Sequence, residues 1–483
     1  MTLAIANDAV PTLSTTIPAR LDRLPWSTWH TRVIIALSVT WLLDGLEGSL
    51  GGSLAGTLKS RAGLSLTDAD LGLSSSLYLV GAVVGALVFG YLADRFGRRR
   101  LFTWTLILYL SATAATGLSH GLFTFTLCRV LTGAGIGGEY AAINSAVDEL
   151  IPARLRGRVD LWINATFWLG IILGSGISTA FLVPSVFGEA LGWRLAFCSG
   201  VPIGLLVLIL RRYIPESPRW LLTHNRSVEA EAVIANIEAT LPANHAHPSL
   251  SEIELSPRSS FASIAQILAG PYRRRSFLCF FLMAAQAFFY NSVFFSLALV
   301  LLQFYGVSPA HVGVLFIPIA VTNFLGPALL GRLFDTIGRR QMICATYCLS
   351  GVTLFASSLL FYQHRLTLTE QVAWWSVTFF FASTAASSAY LTVSEVFPQQ
   401  IRASAIAVFY AFGTLAGGVF GPLIFGHLTS VASRTPLLIG YTAGATVMIA
   451  AGLAQAIWGV PAERRPLEEL RIPSELHVAV TGK

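Results

Sequence analysis

Gly90-Tyr-Leu-Ala-Asp94-Arg95-Phe-Gly97-Arg98-Arg99 follows one long apolar stretch. Gly331-Arg-Leu-Phe-Asp335-Thr336-Ile-Gly338-Arg339-Arg340 follows another, 241 residues later. A second pair repeats in the same way, at an offset of 246: Glu149-Leu-Ile-Pro152-Ala-Arg-Leu-Arg156-Gly157 and Glu395-Val-Phe-Pro398-Gln-Gln-Ile-Arg402-Ala403. Both offsets are close to half of the 483 residues, so the chain reads as two copies of one unit.

The stretches between these motifs set the class. The chain is 54% hydrophobic and only 12% charged, where a soluble domain carries about a quarter charged residues. That supply cannot coat a soluble globule, which excludes an ordinary soluble enzyme, a disordered chain and a disulfide scaffold. The 42 glycines and 21 prolines fall mostly inside apolar runs, as in membrane helices. Apolar stretches of spanning length, about 20 residues, lie near 33–56, 70–92, 101–119, 123–150, 160–183 and 193–213, and again near 276–304, 310–332, 341–361, 371–396, 403–427 and 436–459. The expectation is an all-α polytopic membrane protein: an N-terminal segment 1–32, a six-helix bundle 33–213, a middle loop 214–275, a second six-helix bundle 276–460 and a tail 461–483.

The net charge of +7 is a topology signal and not a nucleic-acid patch. Arg95, Arg98, Arg99, Arg100, Arg154, Arg156, Arg158, Arg273, Arg274, Arg275, Arg332, Arg339, Arg340 and Arg402 collect on one side. Only Lys59, Arg61, Arg194, Arg365 and Arg434 fall on the other. Excess Lys/Arg marks the cytoplasmic side, which places both termini and the middle loop in the cytoplasm of a cell bounded by this plasma (inner) membrane. The five cysteines lie in apolar segments without metal-ligand spacing, so no metal or cofactor is expected. No nucleophile elbow, phosphate loop or HExxH is present, and an enzyme is not expected.

At these motifs the sequence resembles the major facilitator superfamily, and within it the sugar-porter-like general substrate transporters. The matching residues include Arg129-Val-Leu-Thr-Gly133-Ala-Gly135-Ile-Gly137-Gly138, Pro215-Glu216-Ser217-Pro218-Arg219-Trp220 and Ser394-Glu395-Val-Phe397-Pro398, besides the two repeated motifs above. The resemblance implies twelve helices in two pseudo-symmetric bundles, alternating access, and a substrate site between the bundles near the midplane. It also implies that Gly90, Asp94, Arg95, Gly97, Arg98, Glu149 and Arg156, mirrored by Asp335, Arg339, Arg340, Glu395 and Arg402, form a charged latch holding the outward-facing state. Asp94 and Arg98 are four apart, on one face if the helix continues. Thr336 stands where a basic residue is usual, which predicts a weaker second latch.

Four ionisable residues fall inside spans: Asp44, Glu47, Arg129 and Glu139. Such residues are expensive in lipid and face cavities or each other, so a proton-coupling role is the default reading. Asp44 and Glu47 share a helix face, and carboxylates this close discourage simultaneous ionisation, which suits a proton carrier. Asp44-Gly-Leu-Glu47 resembles the Asp-Gly-aromatic-Asp motif of aromatic-acid:proton symporters, departing at Leu46 and Glu47. In sugar porters the first-span acid pairs with the arginine of the fourth-span motif. The proposed switch therefore joins Asp44 to Arg129, tuned by Glu47, with Glu139 as a competing partner. The GxGxxG string at Gly133–Gly138 lies inside one apolar span, so it reads as a packing face and not a nucleotide site.

Gln286, Asn291 and Asn323 match amide positions of sugar porters, and Tyr390 falls where those carry a tryptophan. Asn164 and Ile171 replace two fifth-span glutamines, and Gly413 an eleventh-span one, which thins the hydroxyl-reading set. With Trp168 and Tyr290 these residues form the candidate substrate site. In the middle loop, Val233, Ile234, Ile237 and Leu241 recur at helical spacing and predict an amphipathic helix. The expected function is secondary active transport of a sugar or organic acid by proton symport, with protons, substrate and the bilayer as partners and the chain as a monomer. A uniporter and a non-transporting nutrient receptor are the alternatives.

Overall fold

The computed structural model describes residues 12–61, 63–182, 187–240, 251–254, 261–307, 309–398, 401–419, 424 and 433–470. Among these residues twelve long helices are numbered α1–α12. The first six are α1 Thr28–Ser53, α2 Asp68–Phe96, α3 Arg98–Gly117, α4 Leu122–Leu150, α5 Arg156–Phe181 and α6, built from Glu189–Cys198 and Gly200–Leu210. The second six are α7 Arg273–Tyr305, α8 Pro309–Thr336, α9 Arg339–Tyr362, α10 Leu368–Val396, α11 and α12 Arg434–Trp458. Helix α11 runs over Arg402–Thr414 and continues as a π-helical turn, Leu415–Val419. The rest of the span expected near 403–427 lies almost wholly outside the described residues. Eight of the twelve are long and apolar enough by themselves to cross a membrane. Of the others, α3 and α10 are rich in Thr and Ser, and α4 carries Arg129, Glu139, Asp148 and Glu149.

The halves pack alike. Helices α1 and α5, α2 and α4, and α3 and α4 are neighbours in the first, and α8 and α10, and α9 and α10, in the second. The two most extensive contacts between the bundles are α2 with α11 and α5 with α8, which the duplication exchanges for one another; α10 also touches α4 and α5, and α11 touches α4. Small residues permit the close approaches. A Cβ on Gly133 or Gly137 of α4 would meet the carbonyl oxygens of Tyr78 and Ala82 on α2 at 2.2 and 2.0 Å. The GxGxxG string is thus a helix-packing face. A Cβ on Gly90 would lie 2.4 Å from that of Ala407 on α11, so this glycine lets the bundles touch.

Beyond the arginine-rich end, helices Ile17–Arg23, Pro218–Thr223 and Ser227–Glu238 share a small apolar core. Ile17, Leu21 and Leu24 meet Trp220, Leu221, Ala230, Ile234 and Ile237 there. The predicted amphipathic helix is present with Ile234 and Ile237 buried; Leu241 lies outside the described residues. A two-stranded antiparallel ribbon, which the all-α reading did not anticipate, pairs Thr12–Thr15 with Ser251–Glu254.

Candidate functional site

The intramembrane charges come from α1 and α4, which run in opposite directions. Counted from the arginine-rich end at about 1.5 Å per residue, Arg129 lies at about 31 Å, Glu47 at about 28 Å, Asp44 at about 24 Å and Glu139 at about 16 Å. That register decides the pairing. Arg129 Nη1 donates to Glu47 Oε1 at 2.5 Å, and its guanidinium lies over the Tyr78 ring, 4.5 Å from the centroid. The expected partner, Asp44, is one turn too deep to take that bond. Both Asp44 oxygens are buried without a hydrogen-bond partner among the described residues, within electrostatic reach of Glu139 and Glu47. Glu139 accepts a long bond from the Thr105 hydroxyl at 3.5 Å.

At the arginine-rich end the two repeated motifs meet across the bundle interface. In the first half, Arg98 Nη2 contacts Asp94 at 3.0 Å and Glu149 at 3.1 Å. Glu149 is shared with Arg402 of the second half at 3.5 Å. In the second half Arg339 contacts Asp335 at 2.8 Å and grips Glu395 with Nε and Nη2, both at 3.0 Å. Glu395 is shared with Arg156 of the first half at 3.6 Å. Each aspartate also caps a helix of the opposite bundle, where unsatisfied N–H groups and the helix dipole favour an anion. Asp94 accepts from the Ser404 N–H (2.9 Å) and hydroxyl (2.7 Å) at the start of α11. Asp335 accepts from the Gly157 and Arg158 N–H groups (3.1 and 2.8 Å) at the start of α5. This end of the molecule is closed.

Two members of the predicted latch stand outside it. Arg95 is exposed over Phe96, and Arg340 donates to the Ala456 carbonyl at the end of α12. Both point away from the bundle interface because they lie on the outer face of their helix ends. For the same reason the weaker second latch expected from Thr336 is not seen. Thr336 occupies the exposed position that Arg95 has in the first half, and the network never needed a cation there.

The candidate substrate residues form two groups between the bundles. Trp168 of α5 lies 5.9 Å from the Tyr290 and Phe294 rings of α7, and Tyr290 donates to Asn323 Oδ1 of α8 at 2.6 Å. Tyr390 of α10 stacks with Tyr140 of α4 at 5.9 Å, and Tyr140 with Tyr410 of α11 at 4.8 Å. The amides are more occupied than the sequence implied. Asn291 and Asn323 donate to the carbonyls of Ala287 and Ile319 at 2.7 and 2.8 Å, and Gln286 points at Met283 sulfur. Asn164 is drawn to Asp160, donating to its carbonyl at 2.9 Å.

Several residues escaped sequence reading. Asp22 joins Arg219 at 3.2 Å and Arg156 at 3.6 Å, tying the helix before α1 to the latch. Glu216 accepts from the Arg98 N–H at 2.9 Å, and Glu463 from the Arg339 N–H at 3.3 Å. Burial pushes the Glu216 carboxyl above its ordinary value, against the pull of Arg98. Each follows a proline by one or two residues just after the last helix of its half, Pro215-Glu216 and Pro461-Ala-Glu463, with the glutamates at an offset of 247, and that was the signal that could have found the pair. Asp160 and Asp148 are buried ionisable residues near span ends, where hydropathy alone does not single them out.

A family profile described as "Sugar (and other) transporter" matches residues 53–454. The chain belongs to this family of the major facilitator superfamily. As a member it is a multi-pass membrane transporter of the sugar and metabolite type. It is 27% identical over 414 residues to the niacin transporter NiaP of Acinetobacter baylyi, covering 85% of this chain and 90% of that one. It is 28% identical over 422 residues to the probable plastidic glucose transporter 2 of Arabidopsis thaliana, covering 83% and 80%. Its fold is similar to the proton:xylose symporter XylE bound to 6-bromo-6-deoxy-D-glucose, with TM-score 0.75, 19% identity and coverage of 92% of this chain and 98% of that one.

Proposed function

We propose that this chain is a proton-coupled importer of a small aromatic monocarboxylate across the inner membrane, working by alternating access with its arginine-rich end in the cytoplasm. The observation that carries the reading is Asp44, a carboxyl buried without a partner among the described residues beside the Glu47–Arg129 pair. An unpartnered carboxylate inside a bundle is costly and marks an ion path. Ionised, Asp44 sets a second anion beside Glu47 and repels an anionic substrate from the neighbourhood of Arg129. Protonated, it leaves Arg129 to Glu47 and to an incoming anionic substrate. Glu47 is thus the resting partner of the arginine and Asp44 the proton carrier.

Aromatic walls support an aromatic substrate. Trp168, Tyr290, Tyr140, Tyr390 and Tyr410 present ring faces between the bundles, while the amides that would read sugar hydroxyls are bonded to their own helices. The NiaP relative makes nicotinate the first probe. A hexose is the second reading, favoured by the Tyr290–Asn323 pair and the glucose-transporter relative.

Proteoliposomes with an acidic exterior and a lumenal pH dye test the proposal on nicotinate, benzoate and glucose. Wild type should accumulate one of them while the lumen acidifies. Asp44→Asn should lose accumulation by at least about tenfold yet keep part of its counterflow exchange. Uptake that only equilibrates, without acidification, makes the protein a uniporter. Binding without uptake makes it a receptor.

A further inference from the structure

The latch at the arginine-rich end balances its charges, and two carboxyls stand beside it in surplus. Arg98, Arg156, Arg339 and Arg402 are matched by Asp94, Glu149, Asp335 and Glu395, four against four. Asp148, near the end of α4, and Asp160, one turn into α5, are buried beside them with exposures of 0% and 1%. Neither Asp148 oxygen has a hydrogen-bond partner among the described residues, nor does Asp160 Oδ1. Asp160 Oδ2 accepts one long bond, from the Asn164 amide at 3.3 Å. The Ser394 hydroxyl faces Asp148 but is spent on the Leu391 carbonyl at 2.9 Å.

The cations do not cover this surplus. Arg156 lies 3.9 Å from Asp148 and is shared with Glu395 and Asp22, each at 3.6 Å. The other charged groups facing Asp148 are Asp160, Glu395 of α10 and Arg402 of α11. Those facing Asp160 are Asp148, Glu395, Asp335 of α8 and Arg339 of α9, and that arginine is already held by Asp335 and Glu395. Two carboxyls that face each other in a site closed to water do not both stay ionised. Nor does the repeated latch require them. At the offset of 246 that sets Glu149 on Glu395, Asp148 falls on Ser394 and Asp160 on Ile406. The second half closes with a hydroxyl and a hydrocarbon in their place.

We propose that Asp148 and Asp160 form a proton-binding site of the closed gate. The pair holds a proton while this end is closed. When the bundles part here, water enters, a carboxyl O–H bond breaks, and the proton passes to water as both carboxylates ionise. The closed gate therefore binds more protons than the open one, so acid on this side holds it shut and alkali lets it open. The latch alone predicts the opposite sign, because protonating Glu149 or Glu395 removes a charge that an arginine holds. The inference rests on alternating access and not on proton coupling through Asp44; a uniporter would carry the same switch.

Spin labels at the exposed positions 95 and 336, one in each bundle, read the gate in nanodiscs, in a parent chain whose five cysteines are replaced by alanine. From about pH 5 to about pH 8 the closed-to-open ratio of the parent should fall at least about tenfold. Asp148→Asn together with Asp160→Asn should flatten that dependence and keep the gate closed throughout, since neither amide ionises. Asp44→Asn should leave the dependence as in the parent. If the double variant fails to elute as a folded monodisperse species, Asp148→Asn alone decides. Without the second anion, its midpoint of opening should move to lower pH by at least about one unit. A gate that opens with acid, a gate indifferent to pH, or a variant that keeps the parent profile overturns the site. So does loss of the dependence in Asp44→Asn, which would assign it to the coupling carboxyl. The uptake and acidification measurements on proteoliposomes decide none of these outcomes, so symport and the gate site fail separately.

Discussion

The two halves of the latch use the same residue types and distribute their contacts differently. In the second half, Arg339 holds Glu395 as a two-pronged fork and Asp335 besides. In the first, Arg98 Nη2 contacts both Asp94 and Glu149, at 3.0 and 3.1 Å. The first half is instead strapped from outside. Arg219 donates to the Glu149 carbonyl at 3.0 Å, Trp220 to the Asp94 carbonyl at 2.9 Å, and Asp22 reaches Arg219 and Arg156. A repeated motif therefore fixes which charges meet, while the segments that follow α6 and precede α1 decide how firmly each half is held. Fork geometry concentrates energy in one side chain; strapping spreads it over several.

The largest expected effect tests that contrast directly. Arg339→Met strips a buried fork from two carboxylates and should destabilise by about 3–5 kcal/mol. Arg98→Met should cost roughly half as much, because the outside straps on Glu149 and Asp94 remain, while each glutamate keeps its partner from the opposite half in either variant. Unfolding midpoints in detergent give both values. Equal losses would mean that the fork adds nothing beyond its charge.

The next effect concerns the ties between the bundles. Asp335→Ala frees two backbone N–H groups at the start of α5, whereas Asp94→Ala frees one N–H and one hydroxyl at the start of α11. Each loss is worth about 1 kcal/mol or somewhat more, so the closed-to-open ratio of this end should fall roughly five- to tenfold, with Asp335 the larger. Spin labels on the exposed positions 95 and 336, one in each bundle, would read the opening as a longer distance. An unchanged distance distribution in both variants would show that the aspartates do not hold the bundles together.

The duplication made the latch largely legible, since two copies of an acid–arginine spacing at helix ends leave few ways to meet. What the sequence did not carry was depth and direction. Asp44 and Glu47 share a face, so spacing alone could not say which reaches Arg129. The antiparallel register of α1 and α4 decides it, and one turn of helix is the whole difference. Arg95 and Arg340 belong to the motif by letter but lie on the outer face of their helix ends, which a motif match does not reveal. The aromatic group of Tyr140, Tyr390 and Tyr410 draws on three helices from two bundles and has no local signature. The Asp22 tie likewise joins residues far apart in the chain.

The smallest effect separates the two outer caps. Gly97 and Gly338 precede α3 and α9 with φ of 97° and 124°, a region that favours glycine. Neither has a side chain to cap the helix it starts, so Glu216 and Glu463 serve from a distance. A Cβ at position 97 would lie 2.3 Å from Glu216 Oε2, which shows how closely that carboxyl approaches. Burial holds the Glu216 carboxyl above its ordinary value in the folded protein. Its favourable contribution is therefore fully present below the pKa of an unfolded glutamate and is lost as pH rises through the folded value. Glu216→Gln keeps an acceptor for the Arg98 N–H but cannot ionise. Between about pH 5 and about pH 8 its melting temperature should gain on wild type by about 1 °C. If the two proteins instead run parallel across that range, the carboxyl is not desolvated at this cap.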